Sequence, residues 1–167
     1  MVKLNVFKLN DDVCLPVYST ERSACFDIFA YLKDGEAIKG RSVYNRDIRL
    51  IVIGGTLTLQ AGDRMMIPTG LIFDIPEGYS IRIHPRSGLS LKSGLNLVNC
   101  EGVVDEDYVD PSFILLQNTS LSSVQISNGD RIAQGEIVAV NRAEFVEVSE
   151  APTQKTNRDG GFGSTGV

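Results

Sequence analysis

Five short patches in this chain combine charged, hydroxyl-bearing and glycine residues at spacings that could do chemistry. In "PRSGLSLKSG", Arg86, Ser87 and Gly88 set a guanidinium, a hydroxyl and a backbone without Cβ side by side. Such a turn suits phosphate oxygens, although a plain turn uses the same residues. "NCEGVVDEDYVD" gathers Asp105, Asp107 and Asp110 about Tyr108, behind Gly102. A solvated acidic turn is one reading. The EF-hand pattern is not met, because its later bidentate Glu is absent. Val103 and Val104 could carry Asp105 inward, where a carboxylate makes a useful general base.

"SACFDIFA" sets Asp27 in an apolar run, as an edge carboxylate or as an outer-shell ligand of a metal or water. In "NGDRIAQGEI", Asn128–Gly129 signals a hairpin turn, and Gln134 follows within an apolar strand. A buried glutamine there needs hydrogen-bond partners. The closing "NRDGGFGSTGV" offers Gly163, Ser164 and Thr165 to a polyphosphate, with Arg158 for charge and Phe162 alone between glycines. With no helix to follow, it is neither a P-loop nor a dinucleotide fingerprint. Disorder is its alternative reading. His84 reads as a strand residue without a demonstrable role.

Strands must hold these patches. "MMIPTGLIFDI", "YSIRIHP", "LNLVNC", "SFILLQN", "SVQI" and "RIAQGEIVAV" are short apolar runs closed by turn residues. Such a series predicts an all-β barrel or sandwich. A short helical turn is expected only around Ser87–Ser93. From about Lys33 to Gln60 the chain reads as an inserted hairpin around Asn45–Asp47, and "SEAPTQKTN" after Val148 reads as a linker. The expected organisation is one β domain over 1–148, with the insert at about 33–60, then a linker and arm over 149–167.

A net charge of −5 and a pI near 4.9 argue against bulk nucleic-acid binding, which needs a cationic surface. No apolar run approaches the ~18 residues of a membrane span, and no secretory leader is visible in "MVKLNVFKLN". Cys14, Cys25 and Cys100 are odd in number, with no C-x-x-C pair and a single histidine. That pattern argues against a zinc site or a disulfide framework and predicts a reduced, cytoplasmic setting.

In their order, "SACFDIFA", "PRSGLSLKSG", "NCEGVVDEDY", "NGDRIAQ" and "GGFGSTG" resemble the five motifs of the homotrimeric dUTP pyrophosphatase (dUTPase) family. The resemblance implies a distorted jelly-roll barrel with a mobile C-terminal arm. It also implies Mg²⁺-dependent hydrolysis of dUTP to dUMP and pyrophosphate, at sites shared between three subunits. By the same resemblance, Asp105 activates the attacking water and Tyr108 lies against the deoxyribose. Asn99 and the backbone near Gly102 read the uracil edge. Arg86, Ser87, Gly88 and Gln134 hold phosphates, and Asp27 reaches Mg²⁺ through water. The arm closes as a lid: Phe162 stacks on uracil, and Arg158, Gly163, Ser164 and Thr165 cover the phosphates. Cys25 stands where the first motif commonly has Gly. The rival within this fold superfamily is a dCTP deaminase. A different class is a regulatory protein whose partner contact uses the insert, through Lys39, Arg41, Arg46 and Arg49.

Overall fold

The computed structural model describes residues 2–157. Arg158, Phe162, Gly163, Ser164 and Thr165 therefore lie outside the described residues. In chain order the strands begin with β1 (Asn5–Lys8), β2 (Phe26–Phe29), β3 (Ala37–Arg41), β4 (Asp47–Ile51) and β5 (Thr56–Leu59). They continue with β6 (Arg64–Pro68), β7 (Leu71–Asp74) and β8 (Tyr79–His84), then helix α1 (Ser87–Ser93). After the helix come β9 (Leu95–Leu97), β10 (Gly102–Val104), β11 (Phe113–Asn118), β12 (Val124–Ser127) and β13 (Arg131–Ala139).

These strands make an all-β, jelly-roll-like fold. One larger sheet has the order β10-β8-β13-β2 and the other β4-β3-β6-β11-β9, with the pairs β1-β7 and β12-β5 beside them. The core forms where period-two alternation turns apolar residues inward. Ile28, Ile81 and Ala133 of the first sheet share one cluster with Ile67, Ile114 and Leu116 of the second. Each fully buried Ile or Leu of this kind contributes roughly 1.5–3 kcal/mol. The alternation expected for Ile81 and Ile83 about Arg82 is present, with both isoleucines buried.

The turn at Asn128–Gly129 is present but closes no hairpin. Gly129 has φ 82°, and Asp130 N–H donates to Ser127 O at 3.0 Å. Yet β12 pairs with β5, whereas β13 pairs with β2 and β8. The local signal fixes the bend, and the burial of Ile126 and Ala133 decides which edges pair. Asn128 helps hold this crossover, its Oδ1 accepting from Leu32 N–H at 2.9 Å. The expected hairpin around Asn45–Asp47 does form from β3 and β4, and β3 also pairs with β6. Among the described residues no helix is long and apolar enough to cross a membrane.

One packing detail has a pH signature. Tyr31 is buried, and its hydroxyl donates to Asp12 Oδ1 at 2.7 Å. Burial first, then the Asp12 carboxylate, pushes its pKa from 10.0 up to about 12. The folded chain thus holds this proton more tightly than the unfolded chain does. The associated stability is complete below pH 10.0 and disappears as pH rises through about 12. Tyr31→Phe is expected to flatten the fall in melting temperature across that window, measured by thermal unfolding at stepped alkaline pH.

Candidate active site

Register brings three of the patches together. Gln134 on β13 stands opposite Asp27 on β2 and opposite His84 on β8. All three side chains share the face turned away from the core, since Phe26 and Ile28 occupy the other. Gly135 lies between. A Cβ there would come within 2.4 Å of the Phe26 ring, so glycine lets that ring lie flat against β13 and keeps the two strands in register. Phe26 is held in turn by Tyr18, edge-on at 5.8 Å, and by Phe73 at 6.5 Å.

Beyond β8 the chain turns at Pro85 into Arg86 and α1. A depression of about 360 Å³ opens there, lined by Ser19, Asp27, Arg86, Ser87, Gly88 and Gln134, with Cys25. Asp27 organises it. The residue is only 7% exposed, and its Oδ1 pairs with Arg86 Nε at 3.0 Å. Its Oδ2 takes Arg131 Nη1 at 3.2 Å and Ser19 Oγ at 2.8 Å. Arg86 is fixed further by donating from Nη1 to Arg131 O at 2.9 Å. Gln134 Nε2 donates to Pro85 O at 3.0 Å, which satisfies the amide that the sequence left unexplained and ties β13 to the turn. The result is a pocket holding a pre-oriented guanidinium, with that of Arg131 paired to the same carboxylate, in a setting that suits polyphosphate oxygens.

Gly88 faces open space, since a Cβ built on it meets nothing within 4 Å. The fold itself therefore tolerates a methyl there, which would project into the open pocket. Gly88→Ala is expected to melt normally and to weaken nucleotide binding by roughly 1–3 kcal/mol, about five- to a hundred-and-fifty-fold. Calorimetric titration with a nucleotide checks it.

A second cleft, of about 260 Å³, lies between β8, β9, β10 and β11. Asn99, Gly102 and Tyr108 line it, together with Ile83 and Leu97. Cys100, at φ 59°, makes the left-handed turn that carries the chain from Asn99 into β10. Tyr108 is pinned by its hydroxyl, which donates to Pro111 O at 3.1 Å. An apolar slot with an amide at one side can take a flat heterocycle.

Asp105 lies in neither depression. It follows the buried Val104, but it is itself exposed and lines a third depression with Glu77, Tyr79 and Arg142. The expectation that Val103 and Val104 carry Asp105 inward is not met within one chain. Val103 is half in solvent, and the strand ends at Val104, so the next side chain falls on the rim. Among the described residues the Asp105 carboxylate makes no hydrogen bond or ion pair. Its neighbour Glu106 is committed, accepting from Gly78 N–H and pairing with Arg142 Nη2 at 3.5 Å.

Several residues of this region carried no signal in the sequence. Arg131 and Ser19 complete the Asp27 cluster from distant positions, although Arg131 lies within the "NGDRIAQ" patch. His84 sits between two carboxylates, Glu101 and Glu136. Burial, with the Glu136 carboxylate beside it, pushes the Cys25 thiol up. Glu101 and Glu136 are ordinary surface acids in the sequence; only strand pairing directs them toward one imidazole.

A dUTPase family model matches residues 50–166. A deoxyuridine 5'-triphosphate nucleotidohydrolase of Hydrogenobaculum is 36% identical over 167 residues, covering 99% of each chain. Among solved structures, the dUTPase of Staphylococcus bacteriophage 80alpha with dUpNHpp has a TM-score of 0.78 at 24% identity, covering 100% of both chains. The dUTPase of phage phi11 of S. aureus, described with a structural Mg(II) ion, has a TM-score of 0.71 at 22% identity. It covers 91% of this chain and 100% of its own. The pocket built on Asp27 and Arg86, the cleft beside Tyr108 and the relatedness along the whole length agree: this chain belongs to the dUTPase family.

Proposed function

We propose that this chain hydrolyses dUTP to dUMP and pyrophosphate with Mg²⁺. The observation that carries the reading is the meeting of Asp27, Arg86, Ser87, Gly88 and Gln134 in one pocket, from three separate stretches of sequence. Relatives named for the same nucleotide specify the substrate.

The donor set fits Mg²⁺ held mainly by the substrate. Mg²⁺ keeps several waters and prefers phosphate oxygens to an all-protein cage. Asp27 already accepts from Arg86, Arg131 and Ser19, which leaves about one lone pair, on Oδ1, to accept from a metal-bound water. When bound, the ion supplies neutralisation of the triphosphate and polarisation of the phosphorus under attack. The chain's own residues do the rest. Arg86 and Gln134 orient phosphate oxygens, with Ser87 and the open space at Gly88 receiving them. The cleft at Asn99 and Gly102 takes the uracil edge, and Tyr108 packs against the sugar. Asp105 accepts the proton of the attacking water. Cytosine reverses the donors and acceptors that this edge would satisfy, and unpaired buried polar groups can discriminate by ~10⁴–10⁵.

Assembly as a homotrimer supports the same scheme. In one chain the phosphate pocket and the base cleft are separate hollows, and a neighbouring subunit would bring one of each to the same nucleotide. Met66, Phe113 and Leu115, apolar yet at least a third exposed beside the base cleft, supply a surface for that contact. The arm residues Arg158, Phe162, Gly163, Ser164 and Thr165 would then close over the phosphates and base.

The test is to incubate the protein with dUTP, dCTP, dTTP and UTP in Mg²⁺ and identify every product. dUMP and pyrophosphate from dUTP alone are expected. Ammonia from dCTP would move the chain to the deaminase branch. Binding of dUTP without turnover would overturn the hydrolase reading in favour of a regulatory one.

A further inference from the structure

Beside the phosphate pocket, on the same face of the same sheet, lies a cluster with a different chemistry. Cys25 immediately precedes β2, Glu136 lies in β13 and His84 ends β8, and these strands are adjacent in the order β8-β13-β2. A sulfur, an imidazole nitrogen and a carboxylate oxygen from these residues all lie within 4.8 Å of one another. Their burial is intermediate, so the group is reachable from solvent yet partly shielded from it.

We propose that Cys25, His84 and Glu136 form a binding site for a borderline-soft divalent cation of the Zn²⁺ class, distinct from the Mg²⁺ carried by substrate phosphates. A thiolate with an imidazole and a carboxylate is a Zn²⁺ donor set, and hard Mg²⁺ does not choose sulfur. The geometry is close to what is needed. Tetrahedral bonds of about 2.0–2.3 Å put neighbouring ligand atoms roughly 3.4 Å apart. His84 Nε2 and Glu136 Oε2 are 3.5 Å apart, and the Cys25 sulfur lies within 4.8 Å of the nitrogen and oxygen ligand atoms of the set. The other ring nitrogen of His84 faces Glu101 Oε2 at 3.8 Å, and Arg82 holds Glu101 at 3.3 Å. The 3.8 Å gap is longer than a hydrogen bond; its closure on metal binding would give the carboxylate–histidine arrangement by which an outer residue orients a metal-binding imidazole. Three protein ligands leave a fourth position for water. Binding releases the thiol proton, and the cation offsets the charge of the thiolate and of Glu136, which has no arginine partner among the described residues.

This inference does not depend on the hydrolase reading, because it is tested without nucleotide. The reduced, metal-free protein is titrated with Co²⁺, which reports thiolate ligation by a near-ultraviolet charge-transfer band and tetrahedral geometry by visible bands. One equivalent per chain is expected, displaced by Zn²⁺ and unaffected by millimolar Mg²⁺. Cys25→Ser should abolish the charge-transfer band, and His84→Gln and Glu136→Gln should weaken binding at least ten-fold. Glu101→Gln should weaken it by about ten-fold, through loss of orientation. Cys14→Ser and Cys100→Ser should change nothing. Should any variant fail to fold, the unaltered protein gives a second measurement: Zn²⁺ should protect Cys25 from alkylation while Cys14 and Cys100 react. A band that survives Cys25→Ser, no band in the unaltered protein, or equal alkylation with and without Zn²⁺ would overturn the site.

Discussion

Asp105→Asn is expected to bind dUTP within a few-fold of the unaltered protein and to lose about 10²–10⁴-fold in kcat. The amide keeps the size and polarity of the side chain but cannot take a proton from water. The effect should therefore appear in the chemical step and leave KM nearly unchanged, as for an interaction made only in the transition state. Glu106→Gln is the informative companion. Glu106 is one residue away and equally acidic, yet it is committed to Gly78 N–H and Arg142. Its loss should lower the melting temperature and leave most of kcat in place. Single-turnover kinetics on both variants separate the roles. If Asp105→Asn turns over normally, or if Glu106→Gln is the variant that stops the reaction, the assignment of the base is wrong.

The second large effect belongs to Asp27→Asn. The carboxylate is almost fully buried and receives two guanidinium groups and a hydroxyl. An amide would turn an NH₂ toward a guanidinium and leave both cations without an anion. Removing one member of a buried pair costs ~3–5 kcal/mol. The lower end applies here, about 3 kcal/mol, because the Arg131 side chain is half in solvent and stays hydrated. For a domain of this size that corresponds to a fall in melting temperature of roughly 6–12 °C. Nucleotide affinity should fall with it, since Arg86 owes its direction to Asp27 Oδ1 and Arg131 O. Arg86→Lys should share the second defect, because an ammonium cannot reach both acceptors with fixed geometry. Thermal unfolding and nucleotide titration check both variants. An unchanged melting temperature for Asp27→Asn would mean that the arginines find equal hydration without their partner.

The two variants differ in what the sequence says about them. "DEDY" carries several acids that composition cannot rank; the two valines before Asp105 pointed to it on a premise the structure does not meet, and the family resemblance gave it the role of base. The structure adds a physical distinction, since the Glu106 carboxylate has fixed partners and the Asp105 carboxylate has none among the described residues. For Asp27 the situation is reversed. An acid in the apolar run "SACFDIFA" was visible as an anomaly, but its partners Ser19, Arg86 and Arg131 lie at separations that no local pattern connects. The Asn128–Gly129 turn shows the same limit. Backbone preference sets a turn at glycine with positive φ, and it says nothing about which sheet edge the next strand will join.

What the sequence determined by itself was local or ordered along the chain: short alternating strands, one helical turn at Ser87–Ser93, the hairpin at Asn45–Asp47, and five motifs in a family's order. Each depends on near-neighbour stereochemistry or on the identity of adjacent residues. Tertiary structure alone decided the rest. It put Asp27, Gln134 and His84 in one row, separated the base cleft from the Asp105 depression, and joined Cys25, His84 and Glu136 across three strands. With one histidine and no paired cysteines, the sequence argued against a zinc site. Side chains on adjacent antiparallel strands meet through register, whatever their distance along the chain, and register is set by how the apolar faces pack in the core.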